Sequence, residues 1–405
     1  MTGSAAARMT ETLRERDGRV YFDVSTLLER QWTGIPKVAA GLAAALMTGL
    51  PEHLEFFLGL STIARGAVAE ALGRNTGLYL QREVARGRAQ AGMLPILGRP
   101  LLGRSQGRRT IGLFPSVKPV RRVFDIEASL VHDLSTLVLP YFHQKGNVDH
   151  HMGAIMADLE SDDLVVAVST ATRDDLVAYL GIDPARTVVA LNGVSWPDDF
   201  AVRASDALGP AGAEPYVLIL GTREPRKNVA LVFDLLDAAP ALLDSHRFVF
   251  AGKMGWLEEQ HSLPRALEPA RAAGRIVFTG FVDDFTKYVL LAGAEATLYP
   301  SLFEGFGLPV LESLSAGTPC VASWSSSIPE VGGTVCSYFD PLSAADMHRA
   351  LLATLARRGR EGARLGAACQ AHAARFTWDA ALSAILDRLE PLLHDPKSAG
   401  DPPIG

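Results

Sequence analysis

Two glutamates in a glycine-rich segment are the residues of this sequence best suited to chemistry. Glu304 lies between a predicted buried strand and the glycines Gly305 and Gly307, and Glu312 follows on a predicted helix. The glycines let the backbone approach a ligand, and the start of a helix favours a diphosphate because its N–H groups and dipole attract anions. Glu304 could accept hydrogen bonds from sugar hydroxyls, and Glu312 from the two neighbouring hydroxyls of a ribose. Taken alone, such glutamates are more often a helix cap and a solvated helix residue.

A pair of adjacent cations, Arg226 and Lys227, is a second candidate anion site. The pair follows the apolar run Tyr216–Leu220, which reads as a buried strand, and precedes Asn228 at a predicted helix start. Two cations in this position can neutralise the charge that develops on a diphosphate leaving group. Arg223 lies close enough in sequence to share this role. Such pairs are common on surfaces, but the strand before it and the helix after it favour a function.

The glycine-rich segment continues into a longer motif that resembles a known family. Residues 300–323, continuing to Ser327–Gly333, closely resemble the donor-site signature of the large retaining glycosyltransferase group often called family 4. The resemblance implies an α/β protein of the GT-B fold, with two facing Rossmann-like domains, a cleft between them and a C-terminal crossover helix. It also implies transfer of a sugar from a nucleotide donor with retention at the anomeric carbon.

Within that family, two segments look like those of bacterial polysaccharide and O-antigen mannosyltransferases. These segments are Gly221–Asn228 and Glu304–Pro309. The resemblance implies an enzyme that transfers a hexose, with mannose from GDP-mannose as the first expectation. The acceptor would be a glycan or a lipid-linked sugar of cell-surface polysaccharide biosynthesis, for example of lipopolysaccharide.

The resemblance assigns roles to further residues at the ends of predicted strands. His132, in the strand-ending segment Ala128–Ser135, matches the family's histidine motif and would lie near the donor sugar and the acceptor hydroxyl. Asp133 either orients it or caps the next turn. A histidine after a strand is otherwise more often a packed residue, and a glycine such as Gly34 is more often a turn device. The expected catalytic residues are His132, Arg226, Lys227 and Glu304, and the expected donor-binding residues are Gly34, Lys253, Phe281, Val282, Gly305, Phe306, Gly307, Leu308 and Glu312.

The predicted elements divide the chain into two domains with short connecting pieces. At 405 residues and 48% hydrophobic composition, the chain can bury two cores of ordinary size. The expected order is a disordered N-terminus at 1–18, an N-terminal Rossmann-like acceptor domain at 19–195, a linker at 196–214, a C-terminal Rossmann-like nucleotide-sugar donor domain at 215–376, a crossover helix at 377–394 and a disordered tail at 395–405.

Charge and cysteine content restrict the partners and the compartment. The net charge of −6 argues against a nucleic-acid partner. Three widely spaced cysteines form no metal-ligand pattern and favour a reducing compartment. No segment approaches the roughly 20 apolar residues of a membrane span, and no signal peptide is evident. We therefore expect a cytoplasmic protein, either free or peripheral at the inner face of the membrane.

The segment 82–122 is strongly basic within an otherwise acidic chain, with ten arginines and lysines against the single carboxylate of Glu83. It could dock on anionic lipid headgroups or on a diphosphate-linked acceptor. A solvated face with a flexible loop explains it equally well, and the sequence leaves both readings open.

No Asp-x-Asp triplet occurs in the chain, so no carboxylate pair of that kind is expected to hold a divalent metal. We expect metal-independent transfer without a cofactor, in which the basic pair and a helix dipole supply the charge. No carboxylate nucleophile is evident, and retention would follow the front-face route proposed for the family. Two alternatives remain: a nucleotide-sugar 2-epimerase of the same architecture, and a non-catalytic protein that binds a nucleotide-sugar.

Overall fold

The structure, a computed structural model, describes residues 4–85, 109–208, 214–255 and 262–394. The chain separates into two compact units. Unit 1 comprises Met1–Leu137, Lys145–Gly193 and Phe376–Gly405, and unit 2 comprises Val138–Gln144 and Val194–Arg375. The predicted tail at 395–405 and most of the basic segment, 86–108, lie outside the described residues.

Unit 1 is built on a seven-stranded sheet in the order β3-β2-β1-β4-β5-β6-β7. All neighbours are parallel except β2 and β3. The central strands are buried along their whole length, as expected where helices cover both faces of a parallel sheet. The strands are β1 Arg19–Asp23, β2 Leu54–Leu58, β3 Ser61–Ile63, β4 Thr110–Phe114, β5 Ile126–Val131, β6 Leu164–Ala167 and β7 Thr187–Val189.

Unit 2 is built on a six-stranded, fully parallel sheet in the order β10-β9-β8-β11-β12-β13. Its core joins apolar residues of the strands to the apolar faces of the helices that follow β8 and β13. The strands are β8 Tyr216–Leu220, β9 Arg247–Ala251, β10 Ile276–Gly280, β11 Ala296–Tyr299, β12 Cys320–Ser323 and β13 Ser337–Phe339.

Helices connect the strands in both units. In chain order they are α1 Ala5–Glu15, α2 Ile35–Gly49, α3 Arg65–Arg74, α4 Gly77–Ala85, α5 Ser135–Val138, α6 Lys145–Ser161, α7 Thr170–Leu180, α8 Phe200–Leu208, α9 Val229–Ala238, α10 Ala241–Ser245, α11 Glu268–Ala272, α12 Asp284–Gly293, α13 Leu308–Ser315, α14 Ile328–Gly332, α15 Ala344–Glu361, α16 Ala363–Ala373 and α17 Trp378–His394. Among the described residues, no helix combines the length and the apolar character needed to cross a bilayer.

Each sheet has one place where the strand order changes direction. In unit 1 this place lies between β1 and β4, and in unit 2 it lies between β8 and β11. The loops that leave the carboxyl ends of two such strands diverge to opposite faces of the sheet and leave a crevice, which is where ligands bind in open α/β sheets. The segments after β8 and β11 are those that carry Arg226, Lys227 and Glu304.

The N-terminus is helical, and the prediction of disorder over 1–18 was wrong for most of that segment. Helix α1 is capped by Ser4 and packs against α17, which buries Met9 and Leu13 completely. These two residues are four apart and therefore lie on one face of a helix. The short apolar stripe is stable only because α17 covers it, and the local sequence does not contain that partner.

The predicted linker at 196–214 also contains regular structure. Helix α8 buries Phe200 and Ala204 against Tyr288 of unit 2. Residues 209–213 lie outside the described part of the chain. The piece between the two predicted domains is therefore in large part a packed element of unit 2.

Two cations of the basic segment 82–122 form ion pairs within unit 1, and one of them is buried. Lys118 is buried and forms ion pairs with Glu127 at 2.7 Å and Asp162 at 2.5 Å, and Arg121 pairs with Asp158 at 2.6 Å. A buried cation that is paired in this way holds the fold together and cannot contact a lipid headgroup. The excess of positive charge expected for a docking surface is therefore smaller by the buried Lys118.

The last helix returns to unit 1 and fits against two glycines. The chain enters α17 through Trp378, whose ring lies against Gly41 of α2 and Gly193. A Cβ added at Gly41 would lie 2.1 Å from Cε2 of Trp378. Glycine at this position is therefore what allows the indole to reach the surface of α2.

Replacing Gly41 by alanine should lower the thermal unfolding temperature of the protein. Alanine is better than glycine in a helix by roughly 1 kcal/mol, but overpacking against a rigid indole ring costs about 1–3 kcal/mol. The matched control is Gly73→Ala in α3, where an added Cβ would meet nothing within 4 Å. The control should leave the unfolding temperature unchanged or raise it, and an equal response of the two variants would contradict the packing argument.

Candidate functional site

The buried carboxylate of Glu304 is the centre of a charged cluster at the carboxyl edge of the unit 2 sheet. Its Oε1 accepts hydrogen bonds from the ammonium of Lys227 at 2.6 Å, the hydroxyl of Tyr299 at 2.8 Å and that of Ser301 at 2.5 Å. Its Oε2 lies 3.1 Å from Nη1 of Arg226. The structure thus brings together three of the predicted catalytic residues, from loops 77 positions apart in sequence.

The two loops are also joined through their backbones. Leu302 N–H donates to the carbonyl of Arg226 at 2.9 Å, and the Arg226 guanidinium donates to the carbonyl of Phe303 at 2.6 Å. These bonds fix the single helical turn Pro225–Lys227 against the glycine-rich loop. The basic pair and Glu304 are therefore held as one rigid group.

Four serines at the end of β12 and just after it fix the glycine-rich loop from its other side. Their hydroxyls donate to three carbonyls of that loop, those of Ser301, Leu302 and Glu304. The serines are Ser323, Ser325, Ser326 and Ser327. The loop that carries Glu304 is thus held by hydrogen bonds from both neighbouring strand ends, which limits the movement of its carboxylate.

The charges of the cluster determine which of its side chains are protonated. Burial raises the pKa of Glu304, but Arg226 and Lys227 outweigh this effect and lower the pKa to about 2. Burial and the adjacent Glu304 raise the pKa of Tyr299, so its hydroxyl stays protonated and acts as a donor. Glu224 pairs with Arg226 at 3.0 Å, and burial raises its pKa. Arg226 therefore lies between two carboxylates.

The residue just before the helix that follows the glycine-rich loop has a backbone conformation that only glycine adopts easily. Gly307 has φ 101° and precedes α13, which starts at Leu308 with a proline in its first turn. Phe306 is buried, which anchors the loop from within. The predicted residues Gly305, Phe306, Gly307 and Leu308 thus form the loop and the helix start adjoining Glu304, and their contact with a donor stays a prediction.

Glu312 lies one turn into α13 and pairs with a lysine that the sequence analysis did not single out. Its Oε1 forms an ion pair with the ammonium of Lys287, which also lies 3.5 Å from Asp284. Burial lowers the pKa of Lys287, but these two carboxylates outweigh it and raise the pKa above its ordinary value. At neutral pH Lys287 is therefore charged.

Lys253, Phe281 and Val282 follow the next two strands of the same sheet. Lys253 follows β9, and its carbonyl accepts the N–H of Arg223 at 2.9 Å. Phe281 follows β10 and is half exposed. All three residues share the edge of the sheet with the charged cluster, as a nucleotide extending from a diphosphate site would require, but no contact joins them to Glu304. Their assignment stays a prediction.

His132 and Gly34 belong to unit 1. Nε2 of His132 donates to the carbonyl of Pro115 at 2.7 Å, and burial lowers the pKa of the imidazole, so that it is neutral at pH 7 with its lone pair on Nδ1. It lines a cavity of about 110 Å³ beside the carboxyl end of β5. Asp133 accepts the N–H of Ser135 at 2.8 Å, which supports the capping alternative. Gly34 lies immediately before α2 with φ 54°, and a Cβ added at this position would meet no atom within 4 Å.

Several residues in or near the charged cluster have no feature in the sequence that would have identified them. Tyr299 and Ser301 lie at the end of β11 and resemble ordinary strand-end residues in the sequence. Only the structure shows that their hydroxyls donate hydrogen bonds to Glu304. Lys287 lies 25 positions before Glu312 on a helix without a motif. Only Glu224, two positions before Arg226, could have been suspected from its spacing.

Comparison with known proteins gives a family for part of unit 2. Residues 203–351 match the sequence model of the family described as glycosyl transferases group 1. The chain is 30% identical over 217 residues to the O-antigen chain mannosyltransferase B of Escherichia coli, covering 52% of this chain and 56% of that protein. It is 29% identical over 237 residues to the serotype-specific mannosyltransferase WbdA of Escherichia coli, covering 55% of this chain and 28% of that protein. The matched part thus spans about half, or less, of these relatives.

Solved structures show the same fold at low identity. Sucrose-phosphate synthase from Thermosynechococcus elongatus superposes with a TM-score of 0.62 at 16% identity, covering 93% of this chain and 99% of that one. HepE from Anabaena, in complex with UDP and glucose, gives a TM-score of 0.59 at 16% identity, covering 92% and 99%. The predicted fold class, GT-B with two Rossmann-like domains, is confirmed.

The charged cluster should make stability depend on Glu304 at neutral pH. Because folding lowers the pKa of this carboxyl from about 4.5 to about 2, its contribution is present above pH 5 and is lost as the pH falls towards 2. Glu304→Gln should cost on the order of 3 kcal/mol at pH 7 and progressively less at lower pH. Thermal unfolding at several pH values measures this difference. Glu268→Gln, at an exposed surface pair, is the control, and a cost for Glu304→Gln that does not change with pH would contradict the ionic role.

Proposed function

We propose that this chain is a retaining, metal-independent glycosyltransferase, a proposal supported by the match of residues 203–351 to the glycosyl transferases group 1 family. It moves a hexose from a nucleoside diphosphate to a glycan or lipid-linked acceptor of cell-surface polysaccharide biosynthesis. The donor we favour is GDP-mannose. The observation that carries the proposal is the joining of Arg226 and Lys227 to the glycine-rich loop by Glu304, at the switch point of the unit 2 sheet.

The choice of sugar and pathway rests on the relatives. Two proteins of Escherichia coli that are 29–30% identical to this chain over 217–237 aligned residues are described as mannosyltransferases, one of them for the O-antigen chain. The segments that hold the charged cluster lie within residues 203–351, which match the glycosyl transferases group 1 model. Transfer of mannose into an O-antigen-like polysaccharide is the activity most consistent with that similarity.

The charged cluster suits the departure of a diphosphate. In the absence of a ligand the two cations are balanced by Glu224 and Glu304, both almost fully buried. A donor diphosphate at the start of α13 would share Arg226 and Lys227 with these carboxylates and receive charge from the helix dipole. As the bond between C1 and the phosphate oxygen breaks, the electron pair leaves with the nucleoside diphosphate, and the fixed cations stabilise the charge that develops.

Retention follows if the acceptor attacks from the side that the diphosphate leaves. The acceptor oxygen forms the new bond to C1, and its proton passes to a phosphate oxygen of the leaving group, so no carboxylate nucleophile is needed. His132, neutral at pH 7, can bind a sugar or acceptor hydroxyl through the lone pair of Nδ1. The positive charge of Arg226 and Lys227 makes a divalent metal unnecessary in this proposal.

The experiment that tests the proposal is a thermal-shift panel of nucleoside diphosphates and their sugars, with and without a chelator. One nucleoside diphosphate and its sugar, GDP and GDP-mannose by expectation, should raise the unfolding temperature selectively and equally in both conditions. Incubation of the stabilising donor without an acceptor distinguishes the epimerase alternative, which would release an altered sugar nucleotide. No stabilisation by any compound would refute the proposal, and loss of the effect with chelator would refute metal independence.

Lys227 should act mainly on the leaving group. Lys227→Ala should lower kcat about 100- to 1,000-fold, the range seen when one preorganised charge-stabilising donor is removed, with a smaller change in KM for the donor. Steady-state kinetics with the identified donor measures both constants. The control is Lys145→Ala, at an exposed position of unit 1. A loss confined to KM would assign Lys227 to donor binding alone.

A further inference from the structure

Lys287 and Glu312 belong to a closed ring of contacts in unit 2 that no proposed step has used. Lys287 pairs with the Glu312 side chain, and its ammonium lies 5.1 Å from the centre of the Trp196 ring. The indole N–H of Trp196 donates to the hydroxyl of Ser315 at 2.8 Å. That hydroxyl donates in turn to the carbonyl of Glu312 at 2.8 Å. Both the backbone and the side chain of Glu312 are therefore anchored by the same group.

The ring of contacts binds one carboxylate oxygen of Glu312 and leaves the other available to accept a hydrogen bond. Lys287 binds Oε1 of Glu312, whereas Oε2 receives no hydrogen bond from the residues that the structure describes. The side chains of Lys287 and Glu312 are each only 13% exposed. Keeping a lysine this deep is unfavourable unless it is paired, and both Glu312 and Asp284 pair with it. An arrangement of this kind fixes the direction of Oε2.

We propose that Lys287 is a positioning residue for nucleoside recognition: it fixes the Glu312 carboxylate so that Oε2 and the remaining lone pair of Oε1 accept the two neighbouring hydroxyls of a ribose. The inference rests on the proposed function, because it requires a nucleoside diphosphate in the crevice beside α13. Trp196 keeps the ammonium in place through a cation–π contact, and Asp284 provides its second carboxylate.

The consequence is that the affinity for a nucleotide should depend on the two hydroxyls of its ribose. A hydrogen bond to a charged group contributes roughly 1.5–3 kcal/mol, so a ribonucleoside diphosphate should bind wild-type protein about 10- to 100-fold more tightly than its 2′-deoxy or 3′-deoxy counterpart. Without Lys287 the carboxylate can turn towards solvent, and the two hydroxyls lose their fixed acceptor. The preference for ribose should then disappear while the diphosphate contacts remain.

The experiment is calorimetric titration of GDP, UDP and their 2′-deoxy and 3′-deoxy forms into wild-type protein and Lys287→Met. The variant should bind ribo- and deoxynucleotides within about threefold of each other, and Lys287→Arg should restore most of the preference. Lys287→Gln removes the charge but keeps an N–H donor group, on a side chain one atom shorter, and it serves if Lys287→Met does not fold. A purely structural role for Lys287 would weaken all of these nucleotides equally and leave the ratio unchanged.

The matched control is Arg203→Met. Arg203 makes a cation–π contact at 4.1 Å with Phe285 of the same helix α12 but pairs with Asp199 rather than with Glu312. It should retain the ribose preference. A preference retained in Lys287→Met would overturn this inference while leaving the proposed function intact. Absence of nucleotide binding to wild-type protein would instead overturn the proposed function, so the two failures are distinguishable.

Discussion

The ion pairs between Glu304 and the two cations Arg226 and Lys227 are the interaction on which the rest of the candidate site depends. Positive charge is needed at this edge of the sheet for any diphosphate chemistry, yet two adjacent cations that are nearly buried would repel each other and lose hydration. Glu304 resolves this conflict by binding both of them. The hydroxyls of Tyr299 and Ser301 donate to the same carboxylate, so its position is fixed before a ligand arrives.

The topology of the sheet explains why these residues meet. A parallel sheet whose strand order reverses between β8 and β11 sends the loops after these strands to opposite faces and leaves a crevice at its edge. The serine hydroxyls after β12 then occupy the carbonyls of the glycine-rich loop. A polar loop is thus ordered by neighbouring strand ends instead of by its own secondary structure. Such preorganisation is what electrostatic stabilisation of a leaving group requires.

A second ion pair, formed one turn into α13, is stabilised in the same way as the cluster around Glu304. Lys287 and Glu312 are almost buried, and each is stable there because the other is present. Trp196 joins them from the segment between the predicted domains, and that segment, including helix α8, is thereby part of unit 2. The unit is built so that its buried ions are paired with one another.

The sequence by itself determined the fold class, the strands that lead to the site and three members of the charged cluster, Arg226, Lys227 and Glu304. The fold class followed from the resemblance of residues 300–333 to a known family. The strands and the loop could be read locally, because buried parallel strands are continuous apolar runs and glycine and proline mark a loop and a helix start. Only the tertiary structure decided what Glu304 and Glu312 bind, that Lys118 is buried and that the N-terminus is helical. Each of these depends on a partner distant in the chain, and spacing along a sequence carries no information about distances across a fold.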